Sequence, residues 1–175
     1  ADAPFHILQV IAEFRRIYPG VSVAVNIGNS EMVMNQLFDF RADIGVLANI
    51  PRDPRLKAFT LRDDPLVAVV PCTHPWAKRG SMSFLEMRDQ NLVLRERGST
   101  TRRLVEEAFH KHGMVPHVVI EVEGRECVRE AIAAGIGIGF VSKSEFGCDD
   151  RVAMVDLEGC EIFMRESIVC LGSRL

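Results

Sequence analysis

The sequence predicts an α/β protein made of two small lobes, each a mainly parallel sheet with helices on its faces. Three observations carry that expectation. Helix-like and strand-like segments alternate through the first part of the chain, two β segments follow one another near residues 57–71, and the alternation then restarts. Alternation gives parallel strands covered by helices, and two separate runs of it give two lobes instead of one large sheet. At 175 residues the chain can bury roughly two-thirds of its unfolded surface.

The elements follow in order. Ile7, Leu8, Ile11, Phe14 and Ile17 recur at spacings of three and four, which predicts an amphipathic helix from Pro4 to Ile17. Pro4 suits its first turn, where a backbone N–H has no partner, and Tyr18-Pro19-Gly20 ends it. Val21–Ile27 alternates and is β-branched, the pattern of a strand. Gly28-Asn29-Ser30 opens a second helix that turns Val33, Met34, Leu37 and Phe38 inward, and Asp43–Ala48 reads as a short buried strand. After the turn residues between Asn49 and Pro54 come two β segments, Lys57–Leu61 and Leu66–Pro71.

In the second run, Ser83 and Glu86 have the spacing of a capping box, and Asn91–Arg95 is a strand. Gly98-Ser99-Thr100-Thr101 supplies capping hydroxyls for a helix that carries Leu104, Val105, Ala108 and Phe109 and stops at Gly113. Val118–Val122 is a strand, Arg125–Ala134 a helix with Gly135 as its C-terminal stop, and Ile136–Val141 another strand. Val152–Leu157 and Ile162–Leu171 add β segments, the last able to return to the first lobe.

Composition narrows the function. Twenty-one Lys and Arg against twenty-four Asp and Glu leave a net charge of −3, the wrong sign for a domain that grips nucleic-acid phosphates over a whole face. No apolar run approaches the ~20 residues of a membrane helix. Five scattered Cys, never as C-x-x-C, read as reduced thiols in a cytosolic setting. The chain starts without Met or a secretion signal, so a fragment of a longer protein is expected.

Several motifs invite chemistry that their context does not support. Gly135-Ile136-Gly137-Ile138-Gly139 has the glycine spacing of a dinucleotide loop, but the helix precedes it and the strand follows, the reverse of what pyrophosphate binding needs. His110, His112 and His117 have no carboxylate or thiol at ligand spacing, so no metal is expected. No nucleophile elbow or activated Cys is visible, and no catalytic residues or cofactor are expected. What stands out is polar residues where strands give way to helices: Asp2-Ala3-Pro4, Gly28-Asn29-Ser30 and Gly98-Ser99-Thr100-Thr101. Open α/β sheets place ligands at such junctions, and helix N-termini attract anions. The same hydroxyls could equally be plain helix caps. Arg97, Arg102 and Arg125 lie in or near the second-lobe junctions, where they could add charge-assisted bonds or simply be solvated.

Taken in order, Tyr18-Pro19-Gly20-Val21, Gly28-Asn29-Ser30, Ala42-Asp43-Ile44-Gly45-Val46, His74-Pro75-Trp76-Ala77, Gly98-Ser99-Thr100-Thr101-Arg102 and Ala134 to Gly139 resemble the LysR-type transcriptional regulators over nearly the whole chain. The part resembled is the effector-binding region. The resemblance implies two Rossmann-like lobes joined by two crossover strands, a type 2 periplasmic-binding-protein-like fold, with crossings near Leu66–Pro71 and Ser167–Leu171. It implies a first subdomain of residues 1–70 plus 167–175 and a second of 71–166. A winged helix-turn-helix for DNA, a first strand and a C-terminal helix are expected to lie outside the sequence.

It further implies a small anionic or zwitterionic effector in the cleft between lobes, held by Asp2, Pro4, Asn29, Ser30, Ser99, Thr100, Thr101, Arg102 and Arg125. Homodimers, and tetramers of the full-length protein, are the expected assembly, in the cytoplasm and away from membranes. The segments at Asp2–His6, Arg95–Ser99 and Arg125–Glu130 resemble the subgroup associated with 2-aminoethylphosphonate catabolism, whose effector would pair a phosphonate with an ammonium. Asp2 or Glu123 could face that ammonium. The rival reading is a periplasmic solute-binding protein of the same fold; a small hydrolase or lyase would need a catalytic pair in the cleft.

Overall fold

The computed structural model describes residues 3–174, with side-chain environments from Ile7 to Ser173. Helix α1 spans Ala3–Ile17 and carries Arg15 and Arg16 in its last turn, where the helix dipole favours positive charge. Its apolar stripe stays open: Leu8, Val10, Phe14 and Ile17 are all exposed. The segment 21–27 forms no strand. Its residues alternate as expected, but no described segment hydrogen-bonds along it, and Ile27 is 80% exposed. A strand is a statement about a partner as well as a pattern, and here the partner is missing among the described residues.

Helix α2 (Ser30–Phe38) is capped by Asn29, whose Oδ1 accepts from the Met32 amide at 2.9 Å. It lays Leu37 on strand β1 (Gly45–Ala48), and Leu37, Leu47 and Val169 form the small core of this lobe. Next comes β2, a single strand from Leu56 to Pro71 where the sequence suggests two. Its first half pairs antiparallel with β8 (Phe163–Leu171), which in turn pairs antiparallel with β1. Its second half pairs with β6 (Gly139–Ser142) and β7 (Val152–Glu158), both antiparallel. A register shift between Thr60 and Arg62 marks the change of surroundings.

Parallel pairing, expected throughout, is confined to the second lobe. Short strand β3 (Ser81–Ser83) runs parallel to β7, and β4 (Asn91–Arg95) runs parallel to β5 (His117–Val122). The crossing strands are antiparallel because two strands that run between the same pair of lobes in opposite directions have no other way to pair. Ser83 and Glu86 act as read, with Glu86 accepting from the Ser83 amide at 3.1 Å, but the helix they start is a 3-10 turn over Phe84–Asp89.

Helices α3 (Thr100–Lys111) and α4 (Arg125–Ala133) cover the second lobe. Its core is far larger than the first: Phe84 and Phe109 meet edge to face at 5.1 Å, both almost wholly buried, among Met87, Leu92, Val105 and Phe140. At ~1.5–3 kcal/mol for each large apolar side chain buried, stability is concentrated here. His112 spends its ring on the carbonyls of Ala108 (2.8 Å) and Gly159 (3.3 Å), and His117 on Asn91 Oδ1 (3.1 Å). All five cysteines are free thiols.

The glycine run after α4 is structural. Gly135, at φ +78°, is the left-handed residue that ends the helix. Gly137 lets two backbones touch: a Cβ there would sit 2.5 Å from the Asn91 carbonyl oxygen, which cannot step aside because it accepts from the Ile138 amide at 2.8 Å. Gly137→Ala is therefore expected to lower stability by ~1–3 kcal/mol in urea unfolding, the usual cost of overpacking. Gly20→Ala, in open space, should shift the midpoint negligibly.

Candidate functional site

The starts of α2 and α3 meet. Helix α2 stands on the first lobe's β1–β8 sheet and α3 on the second lobe's core, so their contact spans both lobes. The Thr100 hydroxyl donates to Ser30 Oγ at 2.9 Å, within 3.3 Å of the Ala48 carbonyl oxygen as well. Beside it, Asn29 Nδ2 donates to Glu96 Oε1 at 3.2 Å and to the Arg97 carbonyl at 3.4 Å, and the Glu31 amide reaches the Gly98 carbonyl at 3.4 Å. Ser99 and Thr100 are buried; Asn29 and Ser30 are half-buried.

Local chemistry explains why the chain can come this close. Ser99 stands at the N-cap position of α3 but its side chain makes no capping bond, so that hydroxyl is not consumed by its own helix. Asn29, not Ser30, caps α2, which leaves the Ser30 hydroxyl to face Thr100. Gly98 has φ +88°, and a Cβ there would lie 2.5 Å from Glu31 Oε2 and 3.2 Å from Asn29 Nδ2, so only glycine suits this approach. Two helix N-termini thus converge on one polar point, where their dipoles favour negative charge.

The remaining expected site residues are placed differently. Thr101 Oγ1 lies 3.6 Å from Met164 Sδ, to which Ser142 Oγ also points at 3.4 Å. Arg102 is held within its own lobe by Glu106 (2.8 Å), by Glu121 and by the Arg95 carbonyl (3.1 Å). Arg125 stands at the first position of α4, against Glu145. Pro4 lies in the first turn of α1, and Asp2 lies outside the described residues. Two surface hollows, of about 220 Å³ beside His74, Asn91 and Gly137 and about 320 Å³ beside Phe38, Arg55 and Leu171, share no residue with the interlobe contact.

Sequence reasoning missed Glu96, Glu31 and Met164. Glu96 is the consequential one: hydrogen bonds from the Arg95 guanidinium (both at 2.8 Å), with help from Asn29, outweigh burial and hold its carboxyl down at about 2. It is therefore an anion beside the converging helix starts. Because its folded value is depressed, its stabilising contribution is present above the unfolded carboxylate range and is lost as pH falls toward that value. Urea midpoints measured at ~pH 6 and ~pH 3 should fall less in Glu96→Gln than in the unaltered chain.

Comparison with known proteins fits this geometry. A family model described as the LysR substrate binding domain matches residues 3–174. Among curated relatives, the HTH-type transcriptional activator CmpR of Synechocystis sp. strain PCC 6803 is 28% identical over 158 residues, 89% of this chain and 52% of CmpR. The HTH-type transcriptional regulator CbbR of Rhodospirillum rubrum is 28% identical over 165 residues, 93% of this chain and 54% of that protein. The chain thus spans about half the length of the curated relatives it matches. Among solved structures, the regulatory domain of Synechocystis PCC6803 CcmR in complex with 2-PG superposes with a TM-score of 0.87 at 26% identity, covering 97% of this chain and 83% of that one. The two lobes, their crossing strands and the meeting helix starts are those of a type 2 periplasmic-binding-protein-like fold, and the chain belongs to the LysR substrate binding domain family.

Proposed function

We propose that this chain is the effector-sensing part of a bacterial transcriptional regulator, and that it holds a small anionic or zwitterionic metabolite between the N-termini of α2 and α3. The observation that carries the reading is the Ser30–Thr100 contact, 2.9 Å across the two lobes. The two lobes would be residues 1–70 with 167–175, and 71–166. Ser30, Thr100, Ser99 and Asn29 supply hydroxyl and amide donors, and the helix-start amides supply partial positive charge. Thr101, Arg102 and Arg125 would extend the site on the second lobe and Pro4 on the first, while Asp2 lies outside the described residues. The complex of the CcmR regulatory domain with 2-PG supports a small ligand as the partner.

In the described arrangement Ser30 and Thr100 satisfy each other. A ligand anion entering between them takes over both donors, and its better fit to one lobe angle sets how far the population moves. Glu96 shapes the choice, since a fixed carboxylate beside the site disfavours a bare anion and favours one that carries its own cation. A phosphonate with an ammonium group, as in 2-aminoethylphosphonate, has that chemistry. Change of lobe angle would then be relayed, in a cytoplasmic dimer or tetramer of the full-length protein, to a helix-turn-helix that reads DNA.

The test is calorimetry with 2-aminoethylphosphonate and 2-PG as probes. Ser30→Ala and Thr100→Ala should each weaken the binding probe by ~1–3 kcal/mol, roughly 5- to 150-fold, as expected for a hydrogen bond to a charged group. Unchanged affinity in both variants removes these helix starts from the site.

A further inference from the structure

Where β2 shifts register, between Thr60 and Arg62, charged side chains gather from four elements. Arg62 Nε donates to Glu166 Oε2 of β8 at 2.7 Å, and its Nη2 lies 3.9 Å from Asp64 Oδ2. Asp64 accepts from the Ser144 amide at 3.3 Å and from the Ser144 hydroxyl. Arg125 Nη1, from the start of α4, lies 2.5 Å from Glu145 Oε1 in the turn after β6. Asp64 and Glu166 are buried, at 4% and 8% exposure.

The charges do not balance. Among the described residues of this network, three carboxylates face two guanidiniums, so full ionisation leaves one surplus negative charge. Asp64 and Glu166 have hydrogen-bond donors from other residues aimed at them, whereas Glu145 is faced by the buried Nη1 of Arg125. Burial raises the Glu145 carboxyl most; Arg125 opposes this, and Glu166 and Asp64 push it further up. The other cations nearby are committed: Arg129 donates to the carbonyls of Glu145 (3.4 Å) and Phe146 (3.2 Å), and Lys143 pairs with Asp156 at 2.9 Å. Glu145 is where a proton relieves the surplus.

We propose that this network is a proton-responsive hinge, in which one proton taken up at Glu145 cancels the surplus charge between the crossing strands and the turn after β6. With the proton bound, the second lobe seats firmly on the crossing; with it lost, Glu145 is repelled by Glu166 and Asp64 and the crossing loosens. The sign follows from the direction of the effect: a carboxyl raised in the folded state favours that state at low pH, and the benefit is lost as pH rises through its folded value.

Hydrogen exchange of this chain, corrected for the intrinsic pH dependence, tests it. Between ~pH 5 and ~pH 8, protection of residues 60–66 and 164–167 should fall several-fold in the unaltered chain. In Glu145→Gln the protection should be flat over the same interval, whereas Glu107→Gln, at an exposed pair with Arg103, should keep the full dependence. A flat profile in the unaltered chain, or an unchanged slope in Glu145→Gln, overturns the proposal. If Glu145→Gln does not fold, carboxyl carbon NMR of the unaltered chain decides. The Glu145 resonance must titrate in the interval where protection changes, and titration in the ordinary carboxylate range overturns the hinge.

Discussion

Every other feature of this molecule hangs on the antiparallel pair β2–β8. The 16 residues of β2 begin in a sheet shared with β8 and β1 and end in one shared with β6 and β7. A backbone that changes partners in mid-strand keeps its hydrogen bonds satisfied only if the change is gradual, and the shift at Thr60/Arg62 provides it. The two lobes are therefore joined by hydrogen-bonded strands and not by a loose linker. Their relative motion is restricted to twist and bend about a short stretch. That restriction brings the same two helix starts together whenever the lobes approach.

Among the described residues the two lobes bury cores of unequal size. The second lobe holds most of the buried apolar residues, including the Phe84–Phe109 pair, while the first rests on Leu37, Leu47 and Val169 with α1 largely uncovered. Thr100 and Ser99 belong to the second lobe and are buried there. Ser30 and Asn29 belong to the other.

How much of this was legible in the sequence depends on the range of the physics involved. Ser83 with Glu86, and Gly135 after α4, are local signals and both act as read, whereas the cap of α2 falls on Asn29 and not on the hydroxyl of Ser30. The alternation in 21–27 was equally clear, yet alternation encodes which face is meant to be buried, not whether a neighbour stands beside it. β2 looked like two segments because Arg62, Asp63 and Asp64 interrupt its apolar pattern; those charges serve the crossing, where the strand passes from one core to another. Convergence of two hydroxyl-bearing helix starts could be argued from the strand–helix junctions. The partners that complete it could not: Asn29 and Glu96 are 67 residues apart, and Arg62 and Glu166 are 104 apart. Nothing local marks a pair that only the crossing brings together.

The magnitudes at the interlobe contact fit a switch better than a clamp. Among the described residues four hydrogen bonds join the lobes there, Thr100 to Ser30, Asn29 to Glu96 and to the Arg97 carbonyl, and Glu31 to Gly98, the last two long at 3.4 Å, with the Ala48 carbonyl 3.3 Å from the same Thr100 hydroxyl. At ~0.5–1.5 kcal/mol net for each bond, the whole contact is a matter of a few kcal/mol. Moving a two-state equilibrium from one extreme to the other takes about 5.5 kcal/mol of differential affinity. A ligand making two or three charge-assisted bonds supplies a comparable amount. On the proposed reading, the contact is strong enough to define one lobe arrangement and weak enough for a small metabolite to reset it.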